Sequence, residues 1–467
     1  MIRTRFAPSP TGFMHVGGLR TALYEYLIAK NGGGTFVLRI EDTDQKRQVE
    51  GAEEVIYKTL KAVGLEWDEG PEIGGAYGPY IQSQRKDFYL PPALDLIKKG
   101  AAYYCFCEKR EEREEKELKY DKRCSFLKDE EIKKRLDAGE PYVIRQNIPT
   151  GETSFYDQVF SEISIKNEEI EDQILIKSDL TPTYNFANVV DDHAMRITHV
   201  VRGCEYLTST PKYKLLYEAL GWEVPVYIHL PLILSEEGGK LSKRRGDATF
   251  DALTERGFLP AAIINYLAIL GWSSPDNREI FSLEELIKVF DVKRISKASA
   301  AFSIEKLSWL NGEYLKKLAP DAFRDYAMPE IKSAVKSAVN YIALCDLAKG
   351  RIRSYDDIEL LFDFIDNPPV FAKTLFENKK SASDCKTALE ALLALKSEYQ
   401  KLEIWGSGAE LYALAKKIDL PPKQIFWALQ IALTGKTAAP GSATELAAAL
   451  GKKITLERIE TAIKLLN

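Results

Sequence analysis

Two short stretches carry residues that could act on a polyphosphate. The first places His15, Gly17 and Gly18 at the start of a predicted helix. Backbone N–H groups at a helix start attract anions, and glycines let a flat ligand approach the backbone. The second is the basic run GGKLSKRRG at residues 238–246, which lies between glycines. Its cations could stabilise charge that develops on an α-phosphate during a reaction.

Each stretch has a simpler interpretation when it is taken alone. His15 with its two glycines could be only a helix cap. A basic loop is usually a solvated surface, because exposed charges need no partner. The presence of both stretches in one chain favours a nucleotide site.

The elements around the first stretch predict its place in the fold. Residues 2–7 are apolar enough for a buried strand, and turn residues follow. Apolar positions then recur at helical spacing from Val16 until the NGGG at 31–34. Residues 35–40 predict a second buried strand, with the acidic EDTD directly after it. Ligands of open parallel sheets bind at the carboxyl ends of the strands, so we expect these groups at one sheet edge.

Two further helix starts are predicted from local signals. A helix is expected from about Thr43 to Lys61, with Asp42 or Thr43 as its cap. Ser282 and Glu285 have the spacing of a capping box. From residue 249 onward the pattern is helical, without repeats or low-complexity tracts.

These motifs resemble those of a known family. FAPSPTGFMHVGG at 6–18 and GGKLSKRRGD at 238–247 resemble the two signatures of class I aminoacyl-tRNA synthetases. FAPSPTG together with LRIEDTD at 38–44 is similar to the bacterial-type glutamyl-tRNA synthetases. The resemblance spans the chain, being strongest over 1–250 and loosest after about 320. It implies an α/β Rossmann-type class I synthetase catalytic domain with an inserted α+β acceptor-binding domain, followed by all-α stem-contact and anticodon-binding domains.

The resemblance also implies a division of the chain into segments. The catalytic domain would have two halves, and the insertion would grip the acceptor end of the tRNA. The expected segments are 1–100 and 178–250 for the two catalytic halves, 101–177 for the insertion, 251–320 for the stem-contact domain and 321–467 for the anticodon-binding region.

The family's ATP site and catalytic groups can be carried over to matching positions. Mg²⁺ is expected to accompany ATP. The resemblance assigns ATP binding to Ser9, His15, Gly17, Gly18, Glu205, Leu234 and Lys243, and catalysis to His15, Lys240, Lys243 and Arg244.

The expected amino-acid site would take L-glutamate. Arg202 is the candidate for the side-chain carboxylate, because a planar bidentate donor fits a carboxylate better than an amide. Arg5 could instead form an ion pair with Glu41 or Asp42, and Glu41 could be only a helix cap. The resemblance assigns glutamate binding to Arg5, Ala7, Ser9, Glu41, Tyr184, Asn188 and Arg202.

Four residues have spacing suited to a metal. Cys105 and Cys107 form a C-x-C pair, and Tyr120 and Cys124 follow as Y-x-x-x-C. Three thiolates and one further ligand would make a tetrahedral structural Zn²⁺ site, as in some synthetases of this type. The alternative is a set of free buried thiols.

Contacts with tRNA are expected at both ends of the chain. Asp44 and Arg47 would lie beside the terminal adenosine of tRNA(Glu). The segment 429–441 resembles the family's last anticodon-reading segment, but Gln430 replaces the arginine that many members carry. Arginine and glutamine offer bases different donor sets, so tRNA(Gln) remains an alternative substrate.

Composition limits where the protein works. The 64 basic and 69 acidic residues give a net charge of −5, so a nucleic acid must meet a local patch. No apolar run approaches the roughly 20 residues that cross a bilayer, and no signal peptide precedes the first strand. Six cysteines in a chain of 467 residues do not indicate a disulfide framework. We expect a cytoplasmic monomer without membrane contact.

Other functions compete with glutamylation of tRNA(Glu). A non-discriminating enzyme would also charge tRNA(Gln) and supply an amidotransferase. An inactive RNA-binding scaffold would not need His15 and Lys243, and a pantothenate-type ligase would not need Glu41 and Arg202. A shortened paralogue that modifies a tRNA base would lack the helical C-terminal third.

Overall fold

The computed structural model describes residues 1–43, 49–107, 120–239, 241, 249–367, 369–370 and 372–467. The chain forms two compact units. The first comprises Met1–Leu253 and Ile263–Ser303, and the second comprises Thr254–Ala262 and Ile304–Asn467.

The first unit contains the strands and the second is helical. The strands are β1 (Arg3–Phe6), β2 (Thr35–Leu38), β3 (Ala102–Cys105), β4 (Val143–Gln146), β5 (Glu152–Asp157), β6 (Ser161–Lys166), β7 (Ile174–Ile176), β8 (His199–Gly203), β9 (Val226–Leu230), β10 (Ile233–Leu234) and β11 (Ala300–Ala301). The helices are α1 (Val16–Asn31), α2 (Ala52–Ala62), α3 (Leu90–Lys98), α4 (Asp129–Asp137), α5 (Tyr184–Ala194), α6 (Thr210–Leu220), α7 (Phe250–Glu255), α8 (Pro260–Ile269), α9 (Leu283–Val289), α10 (Ile304–Lys317), α11 (Pro320–Ala334), α12 (Tyr341–Ala348), α13 (Asp356–Phe362), α14 (Cys385–Gln400), α15 (Gly408–Ala415), α16 (Pro422–Thr434) and α17 (Ala443–Leu466).

Parallel strands form the centre of the first unit. β1 pairs in parallel with β2, and β8 pairs in parallel with β9. The two pairs meet where the backbone N–H of Thr198 donates to the carbonyl of Arg3 at 3.0 Å. The order is therefore β2-β1-β8-β9, with α1 and α6 as crossovers, and β5 and β6 extend the sheet beyond β9. Such strands are buried on both faces, which explains their short apolar runs.

The expected helix start at Thr43 is wrong. Helix α2 begins at Ala52, and Gly51 precedes it with φ of 78°. Asp42 does not cap α2, because its Oδ1 accepts from the backbone N–H of Ser83 at 2.7 Å. Ser83 lies in a 3-10 helix, Gln82–Phe88, so Asp42 holds a segment distant in sequence.

A small antiparallel sheet supports the cysteine-containing segment. Its order is β3-β4-β7, and β3 ends at Cys105. Tyr103 on β3 donates its hydroxyl to Asp172 at 2.8 Å. The sheet therefore fixes the backbone at Cys105, the first residue of the cysteine-containing segment.

The second unit packs its helices around one apolar core. Asn311 on α10 organises its first part, because its buried amide donates to the carbonyls of Gly257 and Arg353. The same amide accepts from the backbone N–H of Leu259 at 2.9 Å. This buried side chain therefore supplies hydrogen-bond partners to three backbone groups that have none within a helix or a strand.

Within the described part of the chain, no helix is both long and apolar enough to cross a membrane.

Gly257 lies in this packing at a position with no room for a side chain. Its φ is +85°, and an added Cβ would lie 2.6 Å from the ring of Tyr355 and 2.7 Å from the hydroxyl of Tyr326. We expect Gly257→Ala to lower the free energy of unfolding by roughly 3 kcal/mol, from the left-handed backbone and the overpacking together. Thermal unfolding of the full chain measures the effect.

Gly350→Ala is the matched control. Gly350 has a similar φ of +77° but open space around it. It should lose about 1 kcal/mol from the backbone alone. Equal losses in the two variants would show that the tyrosine rings do not restrict residue 257.

Candidate active site

Charged side chains gather at the carboxyl edge of the parallel sheet. Arg5 lies near the end of β1, Glu41 follows β2, and Arg202 lies in β8. All three are at least nine-tenths buried. The topology thus brings together residues that are up to 197 positions apart, at the edge where parallel sheets bind ligands.

His15 is the N-cap of helix α1. Its Nδ1 accepts from the backbone N–H of Gly17 at 3.1 Å. That bond leaves the proton of the neutral ring on Nε2, which can donate to an oxygen. A Cβ on Gly17 would lie 3.2 Å from Nδ1, whereas one on Gly18 would make an ordinary 3.6 Å contact with Met14. A side chain at position 17 would therefore crowd the imidazole, while packing leaves position 18 open.

The segments on either side of the basic run are bonded to the first signature or to helix α1, which follows it. On one side Thr249 forms a β-bridge with His15, and the backbone N–H of Phe250 donates to the carbonyl of Met14 at 3.1 Å. On the other side Arg20 of α1 donates to the carbonyl of Pro231, just before β10. The described segments that precede and follow the run are thus bonded to α1 and to its cap.

The expected catalytic residues Lys240, Lys243 and Arg244 lie outside the described residues. The same is true of Asp44 and Arg47, the residues expected beside the terminal adenosine.

Arg202 is a buried cation of which two nitrogens lack an acceptor among the described residues. Only 7% of the residue is exposed, and no acceptor among the described residues pairs with its Nε or Nη1. Its guanidinium carbon lies 4.9 Å from the ring centre of Tyr213 and 5.3 Å from that of Tyr206. Burying a charge without a partner is costly, by several kcal/mol. The arrangement fits an anionic ligand group that approaches Arg202 during function.

Arg5 does not pair with Glu41 or Asp42, as one alternative predicted. Its Nε donates to both oxygens of Asp192, at 3.0 and 3.2 Å, and its Nη1 donates to Glu25 at 3.0 Å. Burial disfavours the charge of Arg5, but Asp192 and Glu25 outweigh it and raise the pKa of the guanidinium. Within the described chain, Nη2 is the nitrogen left to face a ligand.

The carboxylate of Glu41 is held by Arg39, two residues earlier in the chain. Nη2 and Nε of Arg39 donate to one oxygen of Glu41, at 3.0 and 3.3 Å. Burial raises the pKa of Glu41, and the attraction of Arg39 and Arg5 opposes that rise. The second carboxylate oxygen takes part in neither bond and can accept from an ammonium group.

Helix α5 supplies the other expected pocket residues. Tyr184 begins the helix and is 38% exposed, and Asn188 lies one turn later and is buried. The side-chain amide of Asn188 donates to the carbonyl of Tyr184 at 2.9 Å. Its Oδ1 is therefore the group that can meet a ligand.

The remaining expected residues are at the same edge but differ in exposure. Ser9 is exposed and Ala7 half-buried in the loop after β1. Leu234 is half-buried in β10, whose backbone pairs with β11. Glu205 is exposed, and its carboxylate lies over Gly203, where an added Cβ would come within 2.1 Å of it.

The expected metal ligands form one cluster. The Sγ atoms of Cys105, Cys107 and Cys124 lie within 4.8 Å of one another. Cys107 and Cys124 are 3.5 Å apart, and the hydroxyl of Tyr120 lies 3.2 Å from Cys105 and 3.7 Å from Cys107. A Zn–S bond of about 2.3 Å places neighbouring ligands roughly 3.8 Å apart on a tetrahedron. The cluster therefore needs only small shifts to hold such an ion.

Gln430 lies on α16 of the second unit. Its side-chain amide donates to the carbonyls of Lys436 and Thr437, at 3.1 and 2.9 Å. Both amide hydrogens thus stabilise the turn after the helix. Only the carbonyl oxygen of the side chain is left to contact another molecule.

Sequence reasoning missed the groups behind the pocket. Asp192, Arg39 and Glu25 are all buried and hydrogen-bonded to expected site residues. The sequence did indicate a site role for Asp192, because positions 184, 188 and 192 lie on one stripe of a helix. Glu25 had none, since it lies in the apolar run of α1 like any helical residue.

Known proteins are similar to this chain over nearly its whole length. The family described as "tRNA synthetases class I (E and Q), catalytic domain" matches residues 1–309, and the "Anticodon binding domain" matches residues 302–463. The glutamate–tRNA ligases of Clostridium botulinum (strain Eklund 17B / Type B) and Clostridium kluyveri are each 50% identical to this chain. These matches cover 100% of this chain and 99% and 98% of the relatives.

Solved structures agree with these sequence matches. A glutamate tRNA ligase from Elizabethkingia meningosepticum, crystallised with its amino acid, has a TM-score of 0.85 at 37% identity, with all of both chains covered. The glutamate–tRNA synthetase of Elizabethkingia anophelis has a TM-score of 0.86 at 36% identity, with 99% of each chain covered. The chain therefore belongs to the glutamate–tRNA ligases of the class I (E and Q) tRNA synthetases.

Proposed function

We propose that this protein is a glutamate–tRNA ligase. It activates L-glutamate with ATP to glutamyl-adenylate and pyrophosphate, and then transfers the glutamyl group to the 3′-terminal adenosine of tRNA(Glu). Family membership supports the reaction. The observation that carries the choice of amino acid is the buried guanidinium of Arg202, in which two nitrogens have no acceptor in the described part of the chain. A side-chain carboxylate would supply the missing charge and both acceptors.

Glutamate would be held at its two ends. Its side-chain carboxylate would meet Arg202 and Nη2 of Arg5, and its ammonium group would meet the second oxygen of Glu41. Tyr184, Asn188 and the loop at Ala7 and Ser9 would enclose the chain between them. Glutamine would place an NH₂ group against the donors of Arg202, which leaves buried donors unpaired and disfavours binding.

Activation requires stabilisation of charge at the α-phosphate. The ATP would lie across Gly17, Gly18, Glu205 and Leu234, with Mg²⁺ neutralising phosphate charge when bound. His15 would donate from Nε2, and Lys240, Lys243 and Arg244 would supply cations from the basic run. The attachment of both flanks of this run to α1 supports a common site. No side chain needs to act as an obligatory base, because the attacking group is already a carboxylate.

The tRNA would be bound along the chain. In this proposal the catalytic halves are 1–100 and 178–250, and Asp44 and Arg47 receive the terminal adenosine. The insertion 101–177 holds the acceptor end, 251–320 contacts the stem and 321–467 reads the anticodon. One chain supplies all the proposed glutamate and ATP residues, so we propose a monomer that acts in the cytoplasm, where tRNA is charged.

The insertion would contain a structural Zn²⁺. Cys105, Cys107, Tyr120 and Cys124 fit the ion by donor type and spacing. The guanidinium of Arg145 lies 4.1 Å from the ring centre of Tyr120 and would balance the negative charge of such a ligand set. The ion would brace the acceptor-binding segment and take no part in the reaction.

A second candidate is an enzyme that also charges tRNA(Gln). Gln430 supports it, because both amide hydrogens are bonded within the chain and no fixed cation stands at that position. Bases would then meet one acceptor in place of the donor fork of arginine.

Charging assays test the function and separate the two candidates. We expect labelled glutamate to be joined to tRNA(Glu) with a kcat/KM at least roughly tenfold above that for tRNA(Gln), about the discrimination of one good base contact. Gln430→Arg should widen the ratio. Gln424→Arg is the control, because Gln424 lies on the same helix and also donates to a backbone carbonyl, that of Ala382.

Equal charging of both tRNAs would establish the second candidate. Charging of neither tRNA by the unaltered protein would contradict the proposed ligase activity.

Replacing Arg202 should affect glutamate alone. We expect Arg202→Gln to raise the KM for glutamate roughly 100-fold or more, the value of about two charge-assisted hydrogen bonds. The KM for ATP should stay within a factor of about two, since the interaction is with the amino acid. Steady-state glutamylation gives both constants.

Arg3→Gln is the control for Arg202. Arg3 lies in β1, away from the carboxyl edge, and forms a bidentate pair with Glu69. Its replacement should reduce stability without a selective change in either KM. A glutamate KM that is unchanged in Arg202→Gln would remove Arg202 from the site.

Metal analysis tests the cysteine cluster. We expect one zinc per chain by mass spectrometry of the purified protein, and its loss in Cys124→Ser. Loss of the metal should weaken tRNA binding while the KM for glutamate stays constant, because the cluster lies in the insertion. Cys385→Ser should retain the metal, since Cys385 lies in the second unit. A protein with no bound zinc when it is grown with zinc would refute the site.

A further inference from the structure

One buried carboxylate joins the two ends of the candidate amino-acid site. Asp192 is 1% exposed and lies in the last turn of α5. It accepts from Nε of Arg5 through both oxygens, and from Nη1 of Arg39 at 2.7 Å. Arg5, Arg39 and Arg202 keep the carboxyl ionised, because their charges outweigh burial and lower its pKa.

Arg39 and Arg5 connect Asp192 to different parts of the site. Arg39 continues from Asp192 to the carboxylate of Glu41, with bonds of 3.0 and 3.3 Å. Arg5 continues to Glu25 and to the carbonyl of Val201, the residue before Arg202. Asp192 therefore lies between the group proposed for the ammonium end of glutamate and the groups proposed for its side-chain carboxylate.

Asp192 also belongs to the helix that lines the pocket. Tyr184, Asn188 and Asp192 follow one another at intervals of four residues on α5. These positions form one stripe on the helix surface. Asn188 and Asp192 are both buried and hydrogen-bonded, so a change at Asp192 affects a fixed wall of the pocket.

We propose that Asp192 is a positioning residue that sets the spacing between Glu41 and Arg5, and so selects an amino acid of the length of glutamate. It touches neither substrate nor reacting atoms and acts through the two arginines. This inference rests on the proposed glutamate site. Loss of the carboxylate charge would free Arg5 and Arg39 to adopt other rotamers, and the two recognition points would no longer be held at a fixed distance.

Asp192→Asn is the direct test in the full-length protein. We expect the KM for glutamate to rise roughly tenfold or more, as for a misplaced positioning group, while the KM for ATP and for tRNA stays within about a factor of two. The preference for glutamate over aspartate, which is shorter by one methylene, should fall by roughly the same factor. A purely structural role would not change this preference.

Asp191→Asn is the matched control. Asp191 is equally buried and adjacent, but it accepts from Arg85, Gln82 and Tyr89 instead of the pocket arginines. We expect a similar loss of stability and an unchanged preference for glutamate over aspartate. Equal kinetic effects in both variants, or an unchanged glutamate KM in Asp192→Asn, would overturn the proposal.

Arg39→Lys decides the question if Asp192→Asn does not fold. Lysine keeps the positive charge, but its single nitrogen cannot reproduce the separate bonds to Asp192 and Glu41. The same selective change in the glutamate KM is expected, and its absence would overturn the proposal. Failure of the proposed function is recognised separately, because the unaltered protein would then not charge tRNA with glutamate.

Discussion

Burial of opposite charges at the carboxyl edge of the parallel sheet is the constraint on which the catalytic unit depends. Arg5, Arg39 and Asp192 are removed from water almost completely. Such ions persist only when each is paired and hydrogen-bonded with good geometry. The strands and α5 must therefore hold their register closely, because a shift of one residue would turn these side chains away from one another.

Arg202 departs from this rule in an informative way. Its neighbours Arg5 and Arg39 are paired within the chain, whereas Nε and Nη1 of Arg202 meet aromatic rings and no acceptor among the described residues. The packed network around it holds the guanidinium in place before a ligand arrives. Preorganised groups of this kind lose little entropy on binding, which suits a site that must distinguish a carboxylate from an amide.

Helix α1 connects the amino-acid site with the nucleotide signatures. Its N-terminus carries His15, its Arg20 holds the carbonyl before β10, and its Glu25 pairs with Arg5. One rigid element thus contacts three parts of the site. The described segments before and after the basic run are bonded to this helix and to His15, so both nucleotide signatures depend on its position.

Local interactions explain what could be predicted before the structure was known. The capping box of Ser282 and Glu285 is confirmed, because both partners lie within one turn. The family and the parallel sheet were also predictable, because the signatures and the apolar strands each consist of a few consecutive residues. The clustering of Cys105 and Cys107 with Cys124 was also indicated by their short spacing in the sequence, and Cys124 lies in the 3-10 helix Arg123–Phe126.

Long-range pairing explains what could not be predicted. The helix expected at Thr43 begins at Ala52, after Gly51 in the left-handed region, and the expected cap Asp42 bonds instead to Ser83, 41 positions away. Arg5 pairs with Asp192 across 187 positions, although Glu41 and Asp42 are much closer in sequence. The sequence by itself determined the residue types that we propose for the glutamate and ATP sites. Only the tertiary structure decided which charges neutralise one another, because that depends on which strands and helices meet at the sheet edge.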